Sequence, residues 1–221
     1  MQLEHLFDPA SAAIVVGGTL LATVLRCGWS DCRTALAAMG GLGGRRFDAA
    51  LARAELAGPV REMRRDGVIR AHPHHFGDAE FDEATDALIG SRSLEGLHKA
   101  HLAHKRRRTE QSRRAVRTFT QAADLAPEFG LAGTLISLSQ LPAGSGSGGD
   151  FAAAISMAVL TTLYGLLLGN IVFAPLARMV ARAAAAEERE RHAVIEWLEH
   201  QVEDALPRPR AGHAPHERAA S

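Results

Sequence analysis

Three stretches of this chain are nearly free of charge, and the segments between them are densely charged. The first runs from Ala10 to Leu25, the second from Leu125 to Leu141 and the third from Phe151 to Leu176. A helix needs ~20 mostly apolar residues to cross a bilayer. The third stretch meets that length without one charged side chain. The first meets it when extended to Trp29 past Arg26, whose long stem can carry its guanidinium to the interface. The second opens at Pro127 and is diluted only by Glu128 and several hydroxyls. Pro142 and the Gly/Ser run up to Asp150 read as a flexible turn, so the last two stretches form a membrane hairpin.

A cleaved signal peptide is the rival reading of the first stretch. Such peptides place cations before their apolar core, whereas Glu4 and Asp8 precede this one and Arg26 follows it. A retained span is expected. Lys and Arg are absent from residues 1–9 and from the 142–150 turn, and abundant from Arg26 to Arg117 and after Arg178. The positive-inside rule then puts the N-terminus and the turn in the periplasm and the rest of the polar chain in the cytoplasm. The expected fold is all-α: a polytopic inner-membrane protein with three transmembrane helices. Its parts are a periplasmic N-terminus (1–9), a span (10–29), a cytoplasmic helical region (30–124), the hairpin (125–177), a cytoplasmic helix (178–206) and a disordered tail (207–221).

The cytoplasmic region carries Phe81, Ala84, Leu88 and Ile89 at helical spacing, then Leu94, Leu97 and Leu102, with breaks expected at Pro59 and at Ala71–Asp78. The basic run His104–Arg108 is expected to open a helix that continues into the second span. After the third span, Val194, Ile195, Leu198, Val202 and Leu206 form the apolar stripe of a charged amphipathic helix.

Composition mainly excludes. Formal charge is +0, and the basic run has no interleaved aromatics, so no nucleic-acid partner is expected. Cys27 and Cys32 make no disulfide framework and no zinc site. His72, His74 and His75 have no Cys or carboxylate at ligand spacing, so no metal is expected, and no cofactor. Met39–Arg46 is glycine-rich but lacks the Lys-Ser/Thr ending of a phosphate loop, and reads as a connector. No nucleophile, base and orienting group converge, which argues against an enzyme.

The hairpin is the informative part. Ala158, Thr162, Gly165 and Gly169 share one helical face, and Gly130, Thr134 and Ser137 share another, with Gly133 beside them. Small residues at this spacing let membrane helices pack closely. Packing alone leaves the hydroxyls unexplained, and a hydrated pathway lined by them accounts for the rest.

These segments carry a resemblance. Leu125–Leu138 (L-A-P-E-F-G-L-A-G-T-L-I-S-L) and Met157–Ala177 (M-A-V-L-T-T-L-Y-G-L-L-L-G-N-I-V-F-A-P-L-A) are similar to the paired membrane signatures of the MotA/TolQ/ExbB proton channel family, nearest in wording to the flagellar stator branch, MotA. Asp8–Leu20 resembles the segment leading into that branch's second span. The resemblance implies an all-helical subunit in a homo-oligomeric ring, a pentamer, around a single-span MotB/TolR/ExbD-like partner that carries a membrane aspartate. By motif, Pro127 and Pro175 match the prolines flanking the channel hairpin, and Thr134 and Thr162 match hydroxyls on the ion path. Ser137 shares that face, and Glu128, just inside Pro127, departs from the family's small or apolar residue near the cytoplasmic mouth. Arg64 in M-R-R-D-G matches a rotor-facing arginine, although His72 stands where a glutamate is expected. The stator branch has four spans; the three read here follow the TolQ and ExbB plan and leave the stator's first span without a counterpart. The implied function is a proton- or sodium-driven motor channel of the stator type. The alternatives are a TolQ/ExbB-type energiser of envelope processes and a non-conducting membrane scaffold.

Overall fold

The computed structural model describes residues 8–44, 47–66, 77–140 and 148–203, and its regular elements there are all helical. The three histidines His72, His74 and His75, residues 141–147 of the Gly/Ser turn and the chain after Glu203 lie outside the described residues; Gly148, Gly149 and Asp150, expected in the turn, open a helix instead.

Helix α1 (Pro9–Cys27) starts where its sequence says it should. Asp8 caps it, accepting the backbone N–H of Ala10 at 3.3 Å and of Ser11 at 3.0 Å, with Pro9 in the first turn. One wide π-type turn, Ala13–Gly17, interrupts the α geometry. Its buried face is Ser11, Val15, Thr19 and Thr23, each four residues from the last. Thr19 and Thr23 donate to the carbonyls of Val15 (2.6 Å) and Thr19 (2.7 Å), so these hydroxyls are satisfied inside their own helix. The helix was expected to reach Trp29 but ends at Cys27. Gly28 adopts φ +84°, which side-chain-bearing residues rarely do, and Trp29 opens a new helix, α2 (Trp29–Leu42).

Helices α3 (Ala49–Asp66), α4 (Ala79–Ser91), α5 (Leu94–Ser139), α6 (Gly148–Leu167) and α7 (Ala174–Val202) follow, with a π-helical turn, Leu168–Phe173, joining the last two. The chain divides into two compact units. The first comprises residues up to 46 and 106–188; the second comprises 47–105 and the residues from 189 onward.

The second unit has a water-soluble kind of core. Leu56, Val60 and Met63 of α3, Phe81 and Leu88 of α4, Leu97 of α5, and Val194, Ile195, Leu198 and Val202 of α7 are buried together. The break expected at Pro59 does not occur. A proline deletes one helical hydrogen bond, and the buried residues on both sides of it carry α3 through. Helix α4 is capped by Asp78 (3.0 Å from the Glu80 amide) and stopped by Arg92, which turns left-handed at φ 53°. That reversal starts α5 at Leu94, ten residues before the basic run expected to open it. A charged network is sealed into this unit. Glu80, only 2% exposed, lies 2.7 Å from His101 Nδ1 through one oxygen and accepts from Arg191 at 2.9 Å through the other. Arg191 also donates to Asp78 at 2.8 Å and sits 4.3 Å from the Phe47 ring centre. Buried charges paired this way lock helices together, because either partner alone would be left desolvated.

The first unit packs Ala35 of α2 against Ala115 and Phe119 of α5 and Ala177 and Val180 of α7. Arg108 and Glu188 pair at 2.9 Å within it. Among the described residues, two helical runs are long and apolar enough to cross a membrane, Pro9–Cys27 and Phe151–Val202, the latter through its apolar first half. The middle stretch lies at the end of α5, where Glu128, Thr134, Ser137 and Ser139 lower its mean hydropathy.

Candidate functional site

The last turns of α5 and the length of α6 meet through residues that have almost no side chain. A Cβ placed on Gly165 would come 2.6 Å from the Ala126 carbonyl oxygen and 3.0 Å from the Gly130 Cα. One on Gly130 would come 2.9 Å from the Thr161 carbonyl, and one on Gly133 2.8 Å from the Thr161 Cβ. At the other end, a Cβ on Gly169 would lie 2.7 Å from the Ala123 carbonyl and 3.2 Å from the Pro127 ring. Backbones approach this closely only where glycine permits it, and in lipid such contact is the main source of helix association.

The two prolines act on the same joint. Pro127 lies inside α5 with its ring against Gly169, which itself sits in the π-helical turn. Pro175 follows two residues after that turn and has no N–H to return to the helix, and the Ala174 amide just before it bonds the Gly169 carbonyl five residues back. Ala158, three turns away along α6, is buried beside the threonines.

Two hydroxyls meet across the hairpin. Thr134 Oγ1 and Thr162 Oγ1 are 2.8 Å apart, and each is 3.2 Å from the Ala158 carbonyl oxygen. Thr134 is also 3.1 Å from the Gly130 carbonyl. Each hydroxyl has one proton to donate and two lone pairs to accept with. Once both protons are placed, acceptor capacity remains on the pair, and the protons can reorient among three oxygens. The pair lies in an apolar groove of about 450 Å³ bounded by Leu138, Ile155, Val159, Leu163 and Leu166. Among the described residues, no carboxylate lines it.

The remaining expected residues separate. Ser137 is buried and donates to the Gly133 carbonyl at 2.8 Å, so its hydroxyl is spent inside α5. Glu128 is exposed and shares a helical face with exposed Leu131 and Leu135, away from Thr134. Arg64 is exposed near the end of α3 and donates to Gln201 at 3.0 Å. Among the described residues, no group of three His, Cys, Asp or Glu side chains could hold a metal ion.

Sequence reasoning passed over three features. Thr161 is fully buried beneath Gly133 and donates at 2.9 Å to the Ala158 carbonyl that Thr162 also approaches, while Thr162 alone meets Thr134. The Ser11, Thr19 and Thr23 stripe of α1 was legible in its four-residue spacing. The Tyr164 hydroxyl, 3.2 Å from the Asp8 amide, ties the start of α1 to α6.

A family model described as the MotA/TolQ/ExbB proton channel family matches residues 73–193, more than half of the chain. The chain is 29% identical over 140 residues to Motility protein A of Cereibacter sphaeroides, covering 61% of this chain and 53% of that protein. It is 23% identical over 135 residues to the chemotaxis protein PomA of Vibrio alginolyticus, covering 61% and 53%. The chain thus spans about half the length of the curated relatives it matches. Its fold is similar to a chain of the flagellar MotAB stator complex from Bacillus subtilis (TM-score 0.79, 21% identity, 93% of this chain and 82% of that one). It is similar also to a chain of C. jejuni MotAB (TM-score 0.77, 19% identity, 92% and 81%).

Proposed function

The chain belongs to the MotA/TolQ/ExbB proton channel family, and from that premise we propose that it is the ring-forming subunit of a stator-type motor channel in the bacterial inner membrane. Three helices span the bilayer in this reading: α1, the last third of α5, and α6 with its π-helical turn. The N-terminus and the hairpin turn face the periplasm, and the C-terminus faces the cytoplasm, following the Lys/Arg asymmetry. The subunits form a homo-oligomeric ring, a pentamer, around a single-span MotB-like helix. Ions pass between ring and partner, and the resulting movement of the hairpin does mechanical work.

The observation that carries this reading is the Thr134–Thr162 hydroxyl pair in an apolar groove that contains no carboxylate. A proton relay through a membrane normally runs over an ionisable group at depth, and none of the three stretches has one near its middle. The groove therefore supplies the hydroxyls and the apolar walls, and the partner helix supplies the acid, a membrane aspartate. The motility proteins among the relatives favour a stator over an envelope energiser.

The test is a pair of substitutions, Thr134→Val and Thr162→Val, scored for motor output at equal protein abundance. Losing one hydrogen bond of this kind costs about 1 kcal/mol, so each single variant should slow ion-driven work by on the order of fivefold. The double variant should lose most of it while still co-purifying with the partner. Normal output from the double variant would contradict the reading.

A further inference from the structure

Helix α2 follows a membrane-length helix after one glycine, and it has two opposed faces. Ala35, Ala38 and Leu42 pack on Ala115 and Phe119 of α5 and on Ala177 and Val180 of α7. The lone acid of α2, Asp31, is half-buried and lies 4.0 Å from Arg114. The opposite face presents Trp29, Arg33 and Leu36, one helical turn apart, with Trp29 75% and Leu36 61% exposed. Large apolar side chains beside a cation, with no acid among them, do not suit bulk water.

Charge completes the pattern. Arg26 at the end of α1 is exposed, as are Arg113 and Arg117 on α5 and Arg178 and Arg182 on α7. The α5 and α7 arginines bracket the residues on which α2 rests. Besides Arg33, the exposed arginines Arg26, Arg113, Arg117, Arg178 and Arg182 thus flank or adjoin the helix that begins with Trp29. Trp prefers the headgroup level of a bilayer, and cations there attract anionic lipid.

We propose that α2 is an interfacial helix whose Trp29–Arg33–Leu36 face, with Arg26, binds the headgroups of anionic phospholipid. Trp29 and Leu36 enter the upper acyl region, and the two guanidiniums take phosphate oxygens. This rests on the chain being in a membrane but not on its conducting ions.

The experiment uses the full chain with Trp197→Phe, which leaves Trp29 as the single tryptophan of the two. It is reconstituted in phosphatidylcholine vesicles containing phosphatidylglycerol, with bromine on the acyl chains of one lipid or the other. Trp29 fluorescence should be quenched several-fold more by brominated phosphatidylglycerol than by brominated phosphatidylcholine at equal mole fraction. One arginine near an anionic surface is worth about a fivefold preference, so Arg33→Gln should remove most of the difference. High salt should shrink it in the Trp197→Phe chain itself, a control that needs no further substitution. Equal quenching by both lipids at low salt would overturn the proposal. So would Trp29 open to aqueous iodide but untouched by lipid. Protection from iodide and both lipids would also overturn it, because a second copy of the chain would then cover the face.

Discussion

The two units of this chain are built on opposite rules. In the unit made of residues 47–105 and those from 189 onward, Phe81, Leu56, Met63 and Leu198 are inside, and the charges are paired or at the surface. In the other unit, glycines and hydroxyls are inside beside a few large residues such as Phe119 and Val180, and many more large apolar residues are outside, among them Leu21, Leu131, Leu135, Val159 and Ile171. Among the described residues, only Leu51 and Leu102 of the exposed large hydrophobics belong to the first kind of unit. The difference teaches which solvent each unit is made for. Water drives large apolar side chains inward. Lipid does not, so helices there associate by close backbone contact and hydrogen bonding, and their large side chains meet the acyl chains.

The contrast can be broken most severely at a glycine. Gly165→Leu puts a side chain where a Cβ alone would lie 2.6 Å from the Ala126 carbonyl. The hairpin should separate, abolishing ion-driven work and co-purification of the partner, while the same substitution at Gly58, which has open space around it, should do far less. Leu198→Ala tests the other unit. Truncating a fully buried leucine costs about 2–5 kcal/mol, which should appear as early loss of hydrogen-exchange protection in α3, α4 and the end of α7. A Gly165→Leu hairpin that assembles normally, or a silent Leu198→Ala, would dissolve the distinction.

Acid sharpens it at the membrane end of α1. The hydrogen bonds from the Ser11 hydroxyl and amide hold the Asp8 carboxyl below its ordinary value, outweighing the opposing effect of burial. A carboxylate with a lowered folded-state pKa stabilises the helix start at neutral pH. That contribution is present above the unfolded pKa and fades as pH falls through the folded one. Removing the cap with Asp8→Ala should cost about 1 kcal/mol at neutral pH, and the α1 amides of this variant should show no further loss at acid pH that the unaltered chain does show. The smallest effect belongs to Leu135→Ala. The residue is 69% exposed, so stability should change by less than about 0.5 kcal/mol, although the same substitution at Leu198 is severe.

The hairpin was legible because its information is local. Gly130, Thr134, Gly165 and Gly169 repeat at helical spacing, and a close-packed, hydroxyl-bearing face follows from that spacing alone. Element boundaries were legible only in part. Gly28 ends α1 early and Arg92 starts α5 early, because a single backbone angle decides each. Pro59 was read as a break, yet buried neighbours on both sides outweigh its lost hydrogen bond. The Glu80–His101–Arg191 network could not be read, since its members come from three helices distant in sequence. Glu128 illustrates the same limit at the site: its position on the spiral turns it away from Thr134, which proximity in sequence disguised.

The central claim is that this chain holds half of an ion path, hydroxyls without an acid. The most direct measurement is proton flux into vesicles containing the purified chain, first alone and then co-reconstituted with the single-span helix proposed as its partner. The account predicts no flux above lipid background for the chain alone, flux with the partner, and its loss when the partner's membrane carboxylate is changed to the amide. Sustained proton flux through the chain alone would contradict the account.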